Sequence, residues 1–86
     1  MTKIWNDIVA LVEDKFVCDD RVRKYSGDER LADAIEDLLE KSNCGQYSVE
    51  EETIFESPGY DTGVVFAAWV EANGDLQTIT YQWESM

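Results

Sequence analysis

Apolar residues recur along this chain with two different periods, and the change from one to the other divides it into a helical front and a β-rich back. From Lys3 to Phe16, Ile4, Ile8, Leu11 and Val12 fall at helical spacing, and Trp5, Val9 and Phe16 widen the stripe. Asn6, Asp7, Glu13 and Asp14 keep another side polar, so the segment predicts an amphipathic helix. Residues 17–25 show no helical period and read as a connector or a short edge strand. A second helix follows. Ser26 and Glu29 make an S-x-x-E capping box, and Leu31, Ala34, Ile35, Leu38 and Leu39 repeat at i, i+3, i+4, i+7 and i+8. Asn43-Cys44-Gly45 supplies the stop, with Gly45 placed to take a left-handed cap.

Beyond Gly45 the period becomes two. Tyr47, Val49, Thr53 and Phe55 are expected on one face of a first strand, with Glu50, Glu52 and Glu56 on the other and Glu51 pointing toward the helices. Residues 57–63, rich in turn formers, read as a connection. Val64 to Val70 is apolar without alternation, as in a central strand covered on both sides. Asn73-Gly74 then predicts a two-residue hairpin into a last strand, Leu76 to Trp83. That turn sets a register: Ala68 opposite Ile79, Phe66 opposite Tyr81 and Val64 opposite Trp83 on the core face. Trp69 falls on the other face, partly exposed. The expected architecture is α+β: a single domain spanning 1–86, with two N-terminal helices packed on a three-stranded antiparallel β-meander (ααβββ).

Composition supports a folded chain of this size. Of the 86 residues, 44% are apolar and 12% aromatic, which separates the sequence from disordered acidic segments. No apolar run is long enough to span a bilayer, and Asn6 and Asp7 interrupt the first apolar stretch, so a cytoplasmic protein is expected. Cys18 and Cys44 are then expected to remain reduced thiols.

Charge changes the picture most. The net charge is −12, and it is unevenly placed. Residues 1–25 carry five acids and five bases, whereas residues 26–86 carry fourteen acids against only Arg30 and Lys41. Segregated charge of this sign disfavours direct binding to nucleic acid or to an anionic membrane, and favours a basic protein as partner. Within the second helix, Glu29, Asp33, Glu36 and Glu40 share a narrow sector opposite the leucines, with Asp37 at its edge. Their axial spacing is about 4.5–6 Å, comparable with phosphates along a nucleic-acid strand. Like charges at these offsets cost the helix about 0.2–0.5 kcal/mol per pair. The competing reading is an ordinary solvated helix face. Glu50 and Glu52 extend the acidic surface, or else guard a sheet edge against aggregation. Tyr60 and Trp69 are candidate apolar anchors for a partner. Arg21, Arg23 and Lys24 are expected to pair with local acids.

The inventory for catalysis is thin. There is no histidine, no phosphate-binding glycine loop and no nucleophile elbow, so no catalytic residue, metal site or cofactor is expected. The segments Asp7-Ile8-Val9, residues 16–22, the acidic helix and the closing hairpin at residues 69–75 resemble, in order and character, the uracil-DNA glycosylase inhibitors. More broadly the chain resembles small acidic phage-encoded DNA mimics of the anti-restriction and anti-CRISPR type. The resemblance is one of class. It implies a non-enzymatic inhibitor of a basic nucleic-acid-binding protein, such as a CRISPR effector, a restriction enzyme or a DNA-repair enzyme, and it carries over no individual residue. The partner-binding set read from the residues is Glu29, Asp33, Glu36, Asp37, Glu40, Glu50, Glu52, Tyr60 and Trp69, on a monomer or small homodimer. Two other functions fit the same acidity: an immunity protein or antitoxin against a basic nuclease toxin, and a regulatory or assembly subunit whose charge serves solubility.

Overall fold

The computed structural model describes residues 2–15, 17–18, 22–24 and 31–85. Helix α1 (Lys3–Lys15) is followed by two short strands, β1 (Val17–Cys18) and β2 (Val22–Lys24). Helix α2 (Leu31–Lys41) and three long strands, β3 (Tyr47–Ser57), β4 (Tyr60–Val70) and β5 (Leu76–Ser85), complete the chain. The fold is α+β, and β3, β4 and β5 form the expected antiparallel meander. The sheet is larger than that meander. Its order is β1-β2-β5-β4-β3, with β1 antiparallel to β2, and β2 parallel to β5 through Val22 opposite Gln82. Of the two readings open for residues 17–25, the strand holds for these short pieces. Two or three residues carry too little alternation to show in the sequence.

Both helices pack on one face of the sheet. Ile8 and Val12 of α1 and Leu31, Ala34, Ile35 and Leu39 of α2 are buried against Val65, Ala67, Trp69, Ile79, Tyr81 and Trp83. Trp5 stacks at a tilt on Trp69, with ring centroids 6.3 Å apart. Thr2 caps α1: its Oγ1 accepts from the Trp5 N–H at 3.2 Å, and its carbonyl accepts from Asn6 at 3.0 Å. The capping box at Ser26 and Glu29 lies outside the described residues. At the other end of α2 the left-handed residue is Asn43, at φ 56°, and not Gly45. The Ser42 N–H turns back to the Leu39 carbonyl at 3.2 Å and its hydroxyl to the Leu38 carbonyl at 2.6 Å, so the chain exits two residues earlier than the glycine suggests.

The register of β4 and β5 differs by one residue from the expected one. Ala67 faces Ile79, Val65 faces Tyr81, Gly63 faces Trp83 and Trp69 faces Gln77. The cause is the turn. Gly74 N–H donates to the Glu71 carbonyl at 2.9 Å, and Glu71 N–H donates to the Asp75 carbonyl at 2.8 Å. Gly74 has φ 91°, while Ala72 and Asn73 keep negative φ. This is a three-residue loop, a type I turn closed by a left-handed glycine, rather than the two-residue loop that Asn-Gly suggests. One extra loop residue slides β4 by one position against β5, so the β4 side chains change face while Ile79, Tyr81 and Trp83 of β5 stay on the core side. Val65, Ala67 and Trp69 therefore enter the core, and Val64, Phe66 and Ala68 leave it. Strand β4 lies between β5 and β3, yet only one of its faces is covered by the described residues.

Strand β3 keeps the expected phase as far as Thr53. Tyr47, Val49 and Glu51 lie opposite Trp69, Ala67 and Val65 on the helix-bearing face, while Glu50 and Glu52 lie opposite Phe66 and Val64 on the open one. A bulge between Thr53 and Phe55 then shifts the register. It moves Phe55 to the open face and Glu56 off it, the reverse of strict alternation. The turn shrinks to Pro58-Gly59, with Gly59 at φ 82°, and Tyr60 to Gly63 belong to β4. Gly63 sits opposite the bulge. A Cβ there would lie 2.5 Å from the Glu52 carbonyl oxygen and 2.6 Å from Cε2 of Trp83, so the indole passes over the backbone where only glycine fits.

Candidate acidic interface

The amphipathic stripe of α2 determines where its acids go. With the leucine side sunk in the core, Asp33, Glu36, Asp37 and Glu40 are all exposed and directed away from the sheet. Lys41 Nζ pairs with Asp37 Oδ2 at 2.9 Å, and that hydrogen bond with its charge raises the Lys41 pKa. Asp37 is thus partly offset at the edge of the group. Lys41 is the only base among the described residues of this face. Glu29 lies outside the described residues.

Tyr47 adds a neighbour that the sequence pattern did not single out. It stands at the start of β3 on the helix-bearing side, still partly exposed. Its phenol pKa is raised, first by partial shielding from solvent and then by the negative charge of Glu40 and Glu36. The acidic side of α2 therefore ends beside an aromatic hydroxyl. Alternation did place Tyr47 toward the helices; what it could not show is that α2 ends close enough for Glu36 and Glu40 to act on it.

The other proposed contacts do not join this surface. Glu50 and Glu52 are exposed, but on the opposite side of the sheet. There, with Glu51, Val64 and Phe66, they line an open depression of about 520 Å³. Tyr60 is on that side too. Its hydroxyl donates to Glu84 Oε2 at 2.6 Å, a bond that raises the Tyr60 pKa. Its ring lies 6.2 Å from that of Phe55. Trp69 is not an exposed anchor at all. It is 0% exposed, and its Nε1–H donates to Glu71 Oε1 at 2.9 Å, which satisfies the indole inside the core. The candidate site thus divides in two, with the α2 acids and Tyr47 on one side of the sheet and Glu50, Glu52 and Tyr60 on the other. A two-residue hairpin would turn Phe66 and Val64 inward, and the third loop residue is what places them on the open face.

Cys44 is a free thiol whose Sγ lies 3.5 Å from the Leu39 carbonyl. Among the described residues no group of three or more acidic or cysteine side chains is arranged to hold a metal ion, and no helix is long and apolar enough to cross a membrane. No family model matches the sequence, no curated protein matches it, and no solved structure matches the fold.

Proposed function

We propose that this protein is a non-enzymatic inhibitor that occupies the basic nucleic-acid-binding surface of another protein, with the outer face of α2 standing in for DNA phosphates. The observation that carries the reading is the placement of Asp33, Glu36 and Glu40. They are exposed on successive turns of one helix, on the side turned away from the core. The packing that fixes the leucines also fixes the helix backbone that carries these acids, so they are presented from a folded helix and not from a flexible acidic tail. A backbone already folded spares the ordering cost that a disordered acidic segment meets on binding, and the field of the row speeds association with a surface of opposite sign. A CRISPR effector, a restriction enzyme or a DNA-repair enzyme presents such a surface.

Capture from a lysate depleted of nucleic acid, eluted with a salt gradient, tests the reading. The wild-type chain is expected to retain a nucleic-acid-binding protein that elutes as salt rises. Glu36→Lys/Glu40→Lys is expected to lose it while keeping the wild-type circular dichroism spectrum and urea midpoint. Retention of the same protein by the double variant would sink the assignment of this helix face.

A further inference from the structure

The sheet has one face under two helices and one face under nothing described, and the uncovered face is not a typical solvent face. Phe66 is 39% exposed, Phe55 52% and Ile54 62%, and Tyr60 lies beside Phe55. All four lie on the β3–β4 half of the sheet: the bulge after Thr53 brings Ile54 and Phe55 outward beside Tyr60, while Phe66 stands four residues further along β4 from Thr62, the partner of Phe55, with Val64 between them. Large apolar and aromatic side chains exposed along one sheet face mark binding surfaces more often than chance. Charge narrows what fits. On this face the charged residues of β3, β4 and β5 are all glutamates, Glu50, Glu52 and Glu84, and Lys24 of β2 takes the register position beside Glu84, so the uncompensated pair is Glu50 and Glu52 next to Phe66.

We propose that the open sheet face, centred on Phe66 between Glu50 and Glu52, is a second protein-binding surface that takes an arginine-bearing segment of a basic partner. It lies on the side of the sheet opposite α2 and does not depend on the reading of that helix. Glu50 is the direct cross-strand neighbour of Phe66, and Glu52 that of Val64. Direct cross-strand Cβ atoms stand about 4.5–5.5 Å apart, and residues two apart on one strand about 6.6 Å apart. A guanidinium laid flat on the Phe66 ring therefore reaches the Glu50 carboxylate along its edge, with Glu52 one step further along the same strand. Arginine suits this site better than lysine because its planar cation stacks on an aromatic face and still donates in that plane. The same charges oppose a second copy of this chain as the occupant. Two open faces brought together would set Glu50 and Glu52 of both copies in one interface, on chains that each carry a net charge of −12.

The test is a 15N-NMR titration of the full chain with a seven-residue peptide of alternating arginine and threonine, and with its lysine counterpart. The expected result is amide shifts grouped at Glu50, Glu52, Val64, Phe66 and Phe55. Binding should weaken about tenfold in Phe66→Thr and also weaken with the lysine peptide. Glu36→Lys/Glu40→Lys should bind the arginine peptide at this face as the wild type does. Phe66→Thr replaces an exposed side chain by a good strand former, and its unchanged urea midpoint would show that the loss is one of contact. Shifts confined to α2 and Tyr47, equal response to both peptides, or no shifts at millimolar peptide would overturn the proposal. So would a dimer in sedimentation equilibrium that Phe66→Thr dissociates, since the face would then be occupied by a second copy.

Discussion

Gly63→Ala is a one-methyl change whose cost follows from the geometry. The added carbon would meet the Glu52 carbonyl oxygen at 2.5 Å and Trp83 Cε2 at 2.6 Å, with Trp83 Cζ2 also in its path. Carbon contacts are comfortable at about 3.5–4.0 Å, so each neighbour must retreat by roughly 1 Å. Neither retreats easily. The Glu52 carbonyl belongs to a strand paired with β4 at Val64, and Trp83 is only 4% exposed beneath the helices. Overpacking of this kind costs about 1–3 kcal/mol, and two rigid obstacles place Gly63 toward the upper end. Loss of glycine's unfolded-state freedom returns about 0.4–1 kcal/mol, which leaves a net loss of about 2 kcal/mol. With a urea m-value of roughly 1 kcal/mol/M for so small a domain, the unfolding midpoint should fall by about 2 M. Trp83→Leu gives the internal control. In that background the indole is gone, and adding Gly63→Ala should cost at least about 1 kcal/mol less than in the wild type. A Gly63→Ala midpoint within about 0.3 M of wild type would refute the close approach of Trp83 to this backbone.

Two further outcomes follow from the turn and from the acidic helix. Ala72 is the first central residue of a type I turn, a position that favours proline, so Ala72→Pro should leave the urea midpoint unchanged or raise it, by up to about 1 kcal/mol of stability. Were Asn73-Gly74 the whole loop, Ala72 would be a strand residue and proline there would destabilise the hairpin. Tyr47 should ionise above the ordinary phenol value of 10.0, and Glu36→Gln/Glu40→Gln should lower its titration midpoint, followed by the 13C shift of the ring carbon bearing the hydroxyl. The sign is fixed by linkage. A phenol whose folded pKa is raised favours folding below the unfolded pKa, and that contribution is lost as pH climbs through the folded value, so the effect on stability appears above about pH 10.

The helices could be read from the sequence because Ile8, Val12, Leu31, Ile35 and Leu39 repeat at a period that packing then uses directly. The three long strands were also legible, and so was the hairpin at Asn73-Gly74. What escaped were details that change by single residues. Alternation fixes which residues share a face, but the number of loop residues decides which face is inside. Asn-Gly is compatible with a two-residue loop or with the last two positions of a three-residue one. The bulge near Ile54 escaped for a related reason. An apolar pair such as Ile54-Phe55 shows that alternation breaks, but not on which side the extra residue is placed. These two events account for the main errors in the candidate site. A two-residue loop puts Trp69 on the exposed face and Phe66 in the core, whereas Trp69 is core and Phe66 is exposed. The division of the acids is independent of both events: the alternation of β3 before Thr53 already sends Glu50 and Glu52 to the face away from the helices. Exposure of Asp33, Glu36 and Glu40 was legible throughout, because a helix stripe has no register to slip.

The central claim is that the outer face of α2 replaces DNA on a basic protein, and mutual exclusion with DNA tests it most directly. A fluorescently labelled duplex is bound to the nucleic-acid-binding protein that the chain retains, and its anisotropy is followed as the chain is added. The account predicts that the wild-type chain releases the duplex completely, that rising salt weakens the competition, and that Glu36→Lys/Glu40→Lys does not compete. A ternary complex in which the duplex stays bound while the chain is also bound would contradict it.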